Sequence, residues 1–350
     1  MFEQMTNKAS AWLMAEGSES SIVLSSRIRL ARNIRGFTYP PYADNETRTN
    51  IVRFVQSAIE KIKELEHGHF YLSEEVDSIS RAFLIERHLI SPEFMREESI
   101  CGLYIAADEK ISIMVNEEDH VRMQAMSSGL SLMDALNRST RIDDDLSHSL
   151  EFDYDTDFGF LTACTTNVGT GLRASVLIHL AGLVLTKEID SVIDHITKLG
   201  LVVRGFYGEG TDVWGNLFQI SNQTTLGRSE SDITESLEKL TRQIIEFENK
   251  SRERLMSEAK NEISDKIWRA YGILCHARVL TSEEVMNLLS AVRLGVALGI
   301  IQNVAIADIN KLLLLSQPAH LQKHMGENLG PSDRDTARAD LVRETLAALK

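Results

Sequence analysis

Between about Asn45 and Leu65 the apolar residues Ile51, Phe54, Val55, Ala58, Ile59 and Ile62 recur at helical spacing. Elsewhere the spacing shortens. Ile22-Val23-Leu24 is an apolar strand running into S-S-R-I-R-L-A-R-N, and Phe83 to Ile90 also reads as a strand. Leu103 to Val115 predicts two strands joined by a turn at Ala107-Asp108-Glu109-Lys110. Met123 to Asn137 returns to helical period, and Phe158 to Ala163 predicts a strand. A glycine-bearing loop then leads into an expected helix from Ala174 to Leu185. Leu201–Arg204 and Leu217–Asn222 are expected strands flanking a glycine-rich loop. Ser231 to about Ile273 predicts a long charge-laced helical region. From Thr281 onward the pattern is helical, with breaks near Gly299, Pro318 and Gly330-Pro331. Residues 1–20 predict a short leading helix anchored by Trp12, Leu13 and Met14. The expectation is a mixed α/β (α+β) body over residues 1–255 and an all-helical domain over 256–350.

Composition narrows the class. A chain of 350 residues with 43% hydrophobic and 25% charged content can bury a large core and is ordinary for a soluble protein. No apolar run is long enough for a membrane span, and no basic-then-apolar leader opens the chain. Cys101, Cys164 and Cys275 are odd in number and lack CxxC spacing, which points to a reducing cytoplasm and away from structural zinc. A net charge of −14 argues against nucleic acid or an acidic membrane as a partner for the surface as a whole.

Local chemistry departs from that average. Asn116 to Arg122 reads N-E-E-D-H-V-R directly after an alternating apolar run. Buried unpaired charge costs several kcal/mol per ion, roughly, so such a cluster implies a highly charged ligand. Arg27 and Arg29 project to one side of a strand at period two, while Arg122, Arg173 and Arg204 sit at expected strand–loop junctions. Five converging guanidinium groups suit a triphosphate, and the acids suit a cation. Gly169, Gly171 and Ala174 match the GxGxxA dinucleotide fingerprint. The fingerprint also needs an acid at the end of the next strand, and Glu188 and Asp190 instead follow a helix in a polar segment. The loop is therefore expected to bring backbone amides to phosphate at a helix start. Walker A, HRD and DFG signatures are absent from the sequence.

Five segments, S-S-R-I-R, N-E-E-D-H-V-R, C-T-T-N-V-G-T-G-L-R-A-S, R-G-F-Y-G-E and I-S-N-Q-T-T-L-G, occur in that order across roughly residues 22–250. In them the chain resembles the phosphagen (guanidino) kinase family of creatine and arginine kinases, and most of all its bacterial protein-arginine kinase branch. The resemblance implies a largely antiparallel sheet flanked by helices, ATP as substrate, and Mg²⁺ bound through the nucleotide rather than by protein ligands. It implies that Glu118 and Glu209 grip and deprotonate the acceptor guanidinium and that Cys164 is the family's reactive cysteine. Before a helix-starting loop its thiol is expected to be activated. The implied nucleotide-binding residues are Ser25, Ser26, Arg27, Ile28 and Arg29, then Arg122, then Arg173, Ala174, Ser175, Val176 and Leu177. Arg204, Gly205, Phe206, Tyr207, Gly208 and Glu209 complete them. His88 is a candidate contact to the nucleotide base, and His120 a support for the acidic loop. Thr165 stands where the family carries proline, which predicts a looser loop.

Two differences separate the chain from the small-molecule enzymes. Those carry a helical domain ahead of the first arginine motif, and they lack the helical C-terminal extension. The extension holds Arg334-Asp335-Thr336-Ala337-Arg338-Ala339, which resembles the branch's R-D-x-x-R-A motif for regulatory phosphoarginine binding. Ser332 or Asp333 is expected to cap its helix. The implied partners are protein substrates with exposed arginine, a heat-shock repressor among them, a zinc-containing activator protein and a Clp-type protease. Leu288, Leu289, Val292, Leu298, Ile301 and Leu312 to Leu315 suggest more apolar surface than a small domain covers, and hence a homodimer seam. The alternatives are a kinase of free arginine or a similar metabolite, and a catalytically idle phosphoarginine adaptor.

Overall fold

The computed structural model describes residues 5, 6, 8–95, 100–205 and 214–349. Strands β1 (Val23–Arg32), β2 (His69–Leu72), β3 (Gly102–Ile105), β4 (Ile111–Val115) and β5 (Val121–Ser128) lie in its first half. β6 (Tyr154–Asp155) and β7 (Gly159–Phe160) form a small separate ribbon, and β8 (Leu172–His179), β9 (Leu201–Arg204) and β10 (Leu217–Asn222) follow. Among the described residues eight strands make one sheet in the order β2-β3-β4-β5-β1-β8-β10-β9, with antiparallel pairing throughout.

The side-chain period of two gives this sheet two unlike faces. On one face Ile28, Leu30, Ala125, Ala174, Val176 and Ile220 enter a large core. Helices α1 (Asn45–Ile59), α2 (Ser78–Glu86), α3 (Leu132–Ser147), α4 (Ala181–Leu185), α5 (Ile189–Lys198) and α6 (Glu230–Glu258) belong to the same body. Of these, α1, α3 and α6 cover that core with Ile51 and Val55, Ile142 and Leu146, and Leu237 and Ile244. Asp44 sets the start of α1 by accepting from Thr47 N at 2.8 Å.

The other face is apolar only at its two ends. At one end Leu24, Met126, Leu177 and Leu217 meet Trp12, Leu13 and the C-terminal helices. These are α7 (Lys260–His276), α8 (Ser282–Ala297), α9 (Ile306–Leu315), α10 (Pro318–Met325) and α11 (Pro331–Ala347). At the other end Leu103, Ile105 and Met114 pack on Phe83 and Leu84 of α2 and on Ala319 of α10. The strip between these patches is polar, and it carries the site.

Several expectations are corrected. Phe83 to Ile90 is not a strand: Asp77 accepts from Ser80 N at 2.7 Å and starts α2, which ends before a left-handed turn at His88. Met123 to Asn137 is not one helix, because β5 runs to Ser128, the chain turns at Gly129 and α3 starts at Leu132. Ala174 to His179 is strand, and only Ala181–Leu185 is helical. A central strand buried on both faces gives a continuous apolar run whose spacing does not distinguish it from a helix. Of Phe158 to Ala163 only Gly159–Phe160 is strand. Within the leading segment, residues 5 and 6 are helical and Ala11–Leu13 is a 3-10 turn; Trp12 and Leu13 are buried, whereas Met14, expected as an anchor, is 42% exposed. Gly330, followed by Pro331 in the first turn, caps α11 in place of Ser332 or Asp333. The apolar surplus of the C-terminal helices is taken up internally: Leu289, Val292, Ile301 and Leu312 to Leu315 are buried in the chain itself. Among the described residues no helix is long and apolar enough to cross a membrane.

A buried clamp joins α2 to α10. Glu86 accepts from Ala319 N at 2.7 Å, His320 N at 3.0 Å and His320 Nδ1 at 2.7 Å. Next to it, Arg87 pairs with Glu109 at 2.7 Å. Glu86→Ala should therefore lower unfolding stability in urea by about 3 kcal/mol, because buried donors lose their acceptor. A loss under about 0.5 kcal/mol, the scale of an ordinary surface change, would show that the clamp contributes little.

Candidate active site

The polar strip floors a cleft of about 930 Å³ lined by Arg27, Arg29, Arg122, Arg173 and Arg204, together with His88, Glu118 and Cys164. Strand register explains the convergence. Arg29 stands opposite Arg173 on β8 and Gln124 on β5, Arg27 opposite Ser175, and Arg204 opposite Gln219. Arg122 shares its face with Gln124, two residues along β5. The third arginine of β1 has the other parity and another fate. Arg32 pairs with Asp143 at 2.7 Å and stacks 3.5 Å from the centre of the Phe160 ring.

The acidic loop joins β4 to β5 and assigns each of its charges a place. Asn116 adopts a positive φ of 61°, tolerated by this side chain, and its N–H donates to His120 O at 3.0 Å. Glu117 accepts from Arg122 at 2.6 Å and from Ser91 Oγ. Asp119 accepts from Asn33 Nδ2 and from Ala163 N, both at 2.7 Å. His120 Nδ1 accepts from Ile34 N at 2.9 Å, which leaves Nε2 to donate to Thr38 O at 3.0 Å. The imidazole is thereby held neutral, and burial keeps its pKa below the ordinary histidine value. Glu118 is left over. It is solvent-accessible on the cleft wall, and its carboxylate has no hydrogen-bond partner among the described residues. Desolvation, then Asp119 and Glu117, push its pKa up against the pull of Arg122.

Within the arginine cluster, charges act on one another. Burial first, then Arg122 and Arg173, push the Arg27 guanidinium down to about 9. Arg29 is lowered well below the ordinary value by burial and by Arg27, Arg122 and Arg173, and its Nε is buried with no hydrogen-bond partner among the described residues. Burial lowers Arg122, but Glu117, Glu118 and Asp119 together outweigh it and the net shift is upward. His88 is pushed down to about 3 by burial and by Arg27 and Arg29, so it is neutral beside the cluster, edge-on to Trp12 with ring centroids 5.3 Å apart. A compact polyanion is the ligand that relieves this repulsion.

The Cys164 loop differs from expectation. Cys164 is partly exposed in the cleft wall, with Sγ 3.0 Å from Thr166 Oγ1, and it precedes a 3-10 turn, Thr165–Asn167. The glycines beyond it lead into β8 and not into a helix, so no helix N-terminus acts on the thiol or cradles phosphate there. Gly171 is needed for another reason: its φ is +62°, and a Cβ would lie 2.5 Å from Ala31 O on β1. The Gly169 and Thr170 amides are already bonded to Phe160 O and Thr225 O, each at 3.2 Å.

Other expected positions separate by strand parity. Ser25, Ser175 and Leu177 lie on the cleft face, Leu177 within the second core. Ile28, Ala174 and Val176 point into the opposite core, which removes their side chains from the cleft. Ser26 braces the turn before α3, donating to Gly129 O at 2.8 Å and accepting from Ser131 N at 2.9 Å. Gly205 follows β9 in a buried position, while Phe206, Tyr207, Gly208 and Glu209 lie outside the described residues. In the distant motif Arg338 is buried and donates to Ser316 O, Leu280 O and Asp335. Ala339 is buried beside it, Arg334 and Ala337 are partly exposed, and Thr336 is exposed. Sequence reasoning missed Gln124, which donates to His88 O at 2.6 Å, and Gln219, which accepts from Arg27 at 2.9 Å. Period-two spacing from Arg122 was the available signal for Gln124. It also missed Glu117 as the partner that fixes Arg122.

Residues 50–251 match the family model described as ATP:guanido phosphotransferase, C-terminal catalytic domain, and residues 260–350 match that of the protein-arginine kinase McsB C-terminal domain. Lombricine kinase shares the fold with a TM-score of 0.60 and 26% identity, over 69% of this chain and 71% of that one. The duplicated taurocyamine kinase from Schistosoma mansoni superposes with a TM-score of 0.61 at 24% identity, over 69% of this chain and 36% of its own, which speaks to fold alone. Fold and site thus define an ATP:guanido phosphotransferase. The protein-arginine kinase of Desulforamulus reducens is 45% identical over 351 residues, covering 99% of this chain and 98% of the relative. That of Geobacillus stearothermophilus is 45% identical over 96% of this chain and 93% of its own. The chain belongs to the protein-arginine kinase family, whose ATP- and Mg²⁺-dependent phosphoryl transfer acts on arginine residues of proteins.

Proposed function

We propose that the cleft performs this transfer with Glu118 as the base and the five arginines as the phosphate cradle. The supporting observation is that Glu118, alone of the loop's acids, has no hydrogen-bond partner among the described residues, on the wall of a cleft that five arginines line. A guanidinium is a poor nucleophile because it stays protonated up to a pKa above about 12. Glu118 orients one nitrogen and takes its proton as the N–P bond forms, while the bond from the γ-phosphorus to the bridging oxygen of the departing ADP breaks. Arg27, Arg29, Arg122, Arg173 and Arg204 hold the phosphates and the charge that develops on them. By resemblance Mg²⁺ is carried on the nucleotide. Bound there, Mg²⁺ neutralises phosphate charge. By resemblance Glu209 is the second carboxylate on the guanidinium, and Cys164, on the cleft wall, is the third acceptor-side group.

In this reading residues 1–255 are the catalytic domain and 256–350 the regulatory and dimerising one. The kinase is cytoplasmic and marks proteins, a heat-shock repressor among them, for a Clp-type protease in the stress response, with a zinc-containing activator. The homodimer's seam lies outside the leucines already buried in the second core. Because Arg338 and Asp335 are bonded to each other, Arg334 is the side chain of the R-D-x-x-R-A motif most available to a phosphoarginine. A kinase of free arginine is the second reading, kept because the cleft chemistry serves a free or a protein-borne guanidinium alike.

Glu118→Ala should lower phosphorylation of protein arginine by about a hundredfold or more while leaving Mg-ATP binding within about twofold. Transfer at the wild-type rate would remove Glu118 from the role of base. Separately, phosphoarginine peptides on beads should retain the wild type and release Arg334→Ala; equal retention would argue that the motif only braces the C-terminal helices.

A further inference from the structure

Arginines that brace this fold are balanced by carboxylates: Arg32 by Asp143 at 2.7 Å, Arg87 by Glu109 at 2.7 Å and Arg252 by Glu248 at 2.6 Å. Arg293 is an exception, held by Asn310 and the Ser20 carbonyl, and it does not line the cleft. Arg27 does line the cleft, and its hydrogen-bond partners are uncharged. It donates to Gln219 Oε1 at 2.9 Å and, more weakly, to Ser175 Oγ at 3.4 Å. Gln219 is buried in β10, in register with Leu177 of β8 and Arg204 of β9. The sheet fixes its backbone from both sides, so its amide oxygen is a rigid acceptor under Arg27.

A glutamate at this position has the same length and would accept the same bond. It would also pair with Arg27 inside a partly desolvated cleft and compete with any incoming phosphate. We propose that Gln219 is a positioning residue for the nucleotide: it aims Arg27 at the phosphates without neutralising it, and Ser175 assists. The proposal rests on the reading of the arginines as a phosphate cradle. It adds a rule for their support, that the side chain holding Arg27 must accept a hydrogen bond and carry no charge.

The test measures binding of Mg-ATP, Mg-ADP and AMP to the full-length wild type, Gln219→Glu, Gln219→Met and Arg27→Met, with thermal melting as the control on folding. Gln219→Glu should melt at or above the wild-type temperature, since it gains an ion pair. It should nevertheless bind Mg-ATP about tenfold more weakly or worse, with a smaller loss for Mg-ADP and almost none for AMP. Gln219→Met, which only frees Arg27, should lose less in the same order. A purely structural role predicts equal losses for all three ligands and a lower melting temperature. Equal losses, or none, in Gln219→Glu would overturn the proposal. If that variant fails to fold, Gln219→Met decides by the same criterion. Unchanged Mg-ATP affinity in Arg27→Met would instead defeat the cradle reading itself; weakened binding there beside an unaffected Gln219→Glu would defeat only the role of Gln219.

Discussion

Mutual repulsion among guanidinium groups in a partly buried cleft is the constraint that orders this structure. Arg122 and Arg173 disfavour the charged forms of Arg27 and Arg29, and Arg27 does the same to Arg29, yet register holds all four on one face of a single sheet. An antiparallel sheet suits this task, since a strand at period two aims successive polar side chains one way and buries their neighbours the other way. The large core beneath, filled by Ile28, Leu30, Ala174 and Val176 from the same strands, supplies the stability against which the repulsion is maintained.

The acidic loop works by the same logic with the opposite sign. Glu117, Asp119 and His120 are each bound to a protein partner, and these bonds fix the backbone around Glu118. A carboxylate held on a rigid loop, raised in pKa and without a hydrogen-bond partner among the described residues, is suited to meet a cationic acceptor and take its proton. In the proposed mechanism the two halves of the reaction meet along β5, with Glu118 just before the strand and Arg122 inside it.

Much of the site could be read in the chain because its chemistry is clustered in sequence. The spacing of Arg27 and Arg29 and the N-E-E-D-H-V-R run require no tertiary information to suggest a charged ligand. Two of the misreadings share one cause. Met123 to Ser128 and Ala174 to His179 belong to strands with both faces covered, so their apolar residues lose the alternation that marks a half-buried strand. Mistaking β8 for a helix then placed a helix N-terminus beneath the phosphates and beside Cys164. Gln219 escaped notice because a lone glutamine in an apolar strand acquires meaning only from Arg27, far away in sequence. The leucines of the C-terminal helices misled in the other direction, since their partners on the sheet face, Leu24, Met126, Leu177 and Leu217, come from four separate strands.

The C-terminal helices do more than cover an edge. Arg338 binds the Ser316 carbonyl just ahead of α10, Glu86 caps α10, and Arg87 and His88 continue from Glu86 to the cleft. This contiguous packing places the distant arginine motif and the site in one connected body. The central claim is that one cleft holds nucleotide and acceptor at once, with Glu118 between them. Its most direct test is a crystal structure with Mg-ADP, nitrate and an arginine-containing peptide, in which planar nitrate stands for the phosphoryl group in flight. The account predicts the ADP phosphates and nitrate on Arg27, Arg29 and Arg122 and the peptide guanidinium within hydrogen-bond reach of Glu118. A nucleotide bound away from these arginines, or a guanidinium that does not touch Glu118, would contradict it.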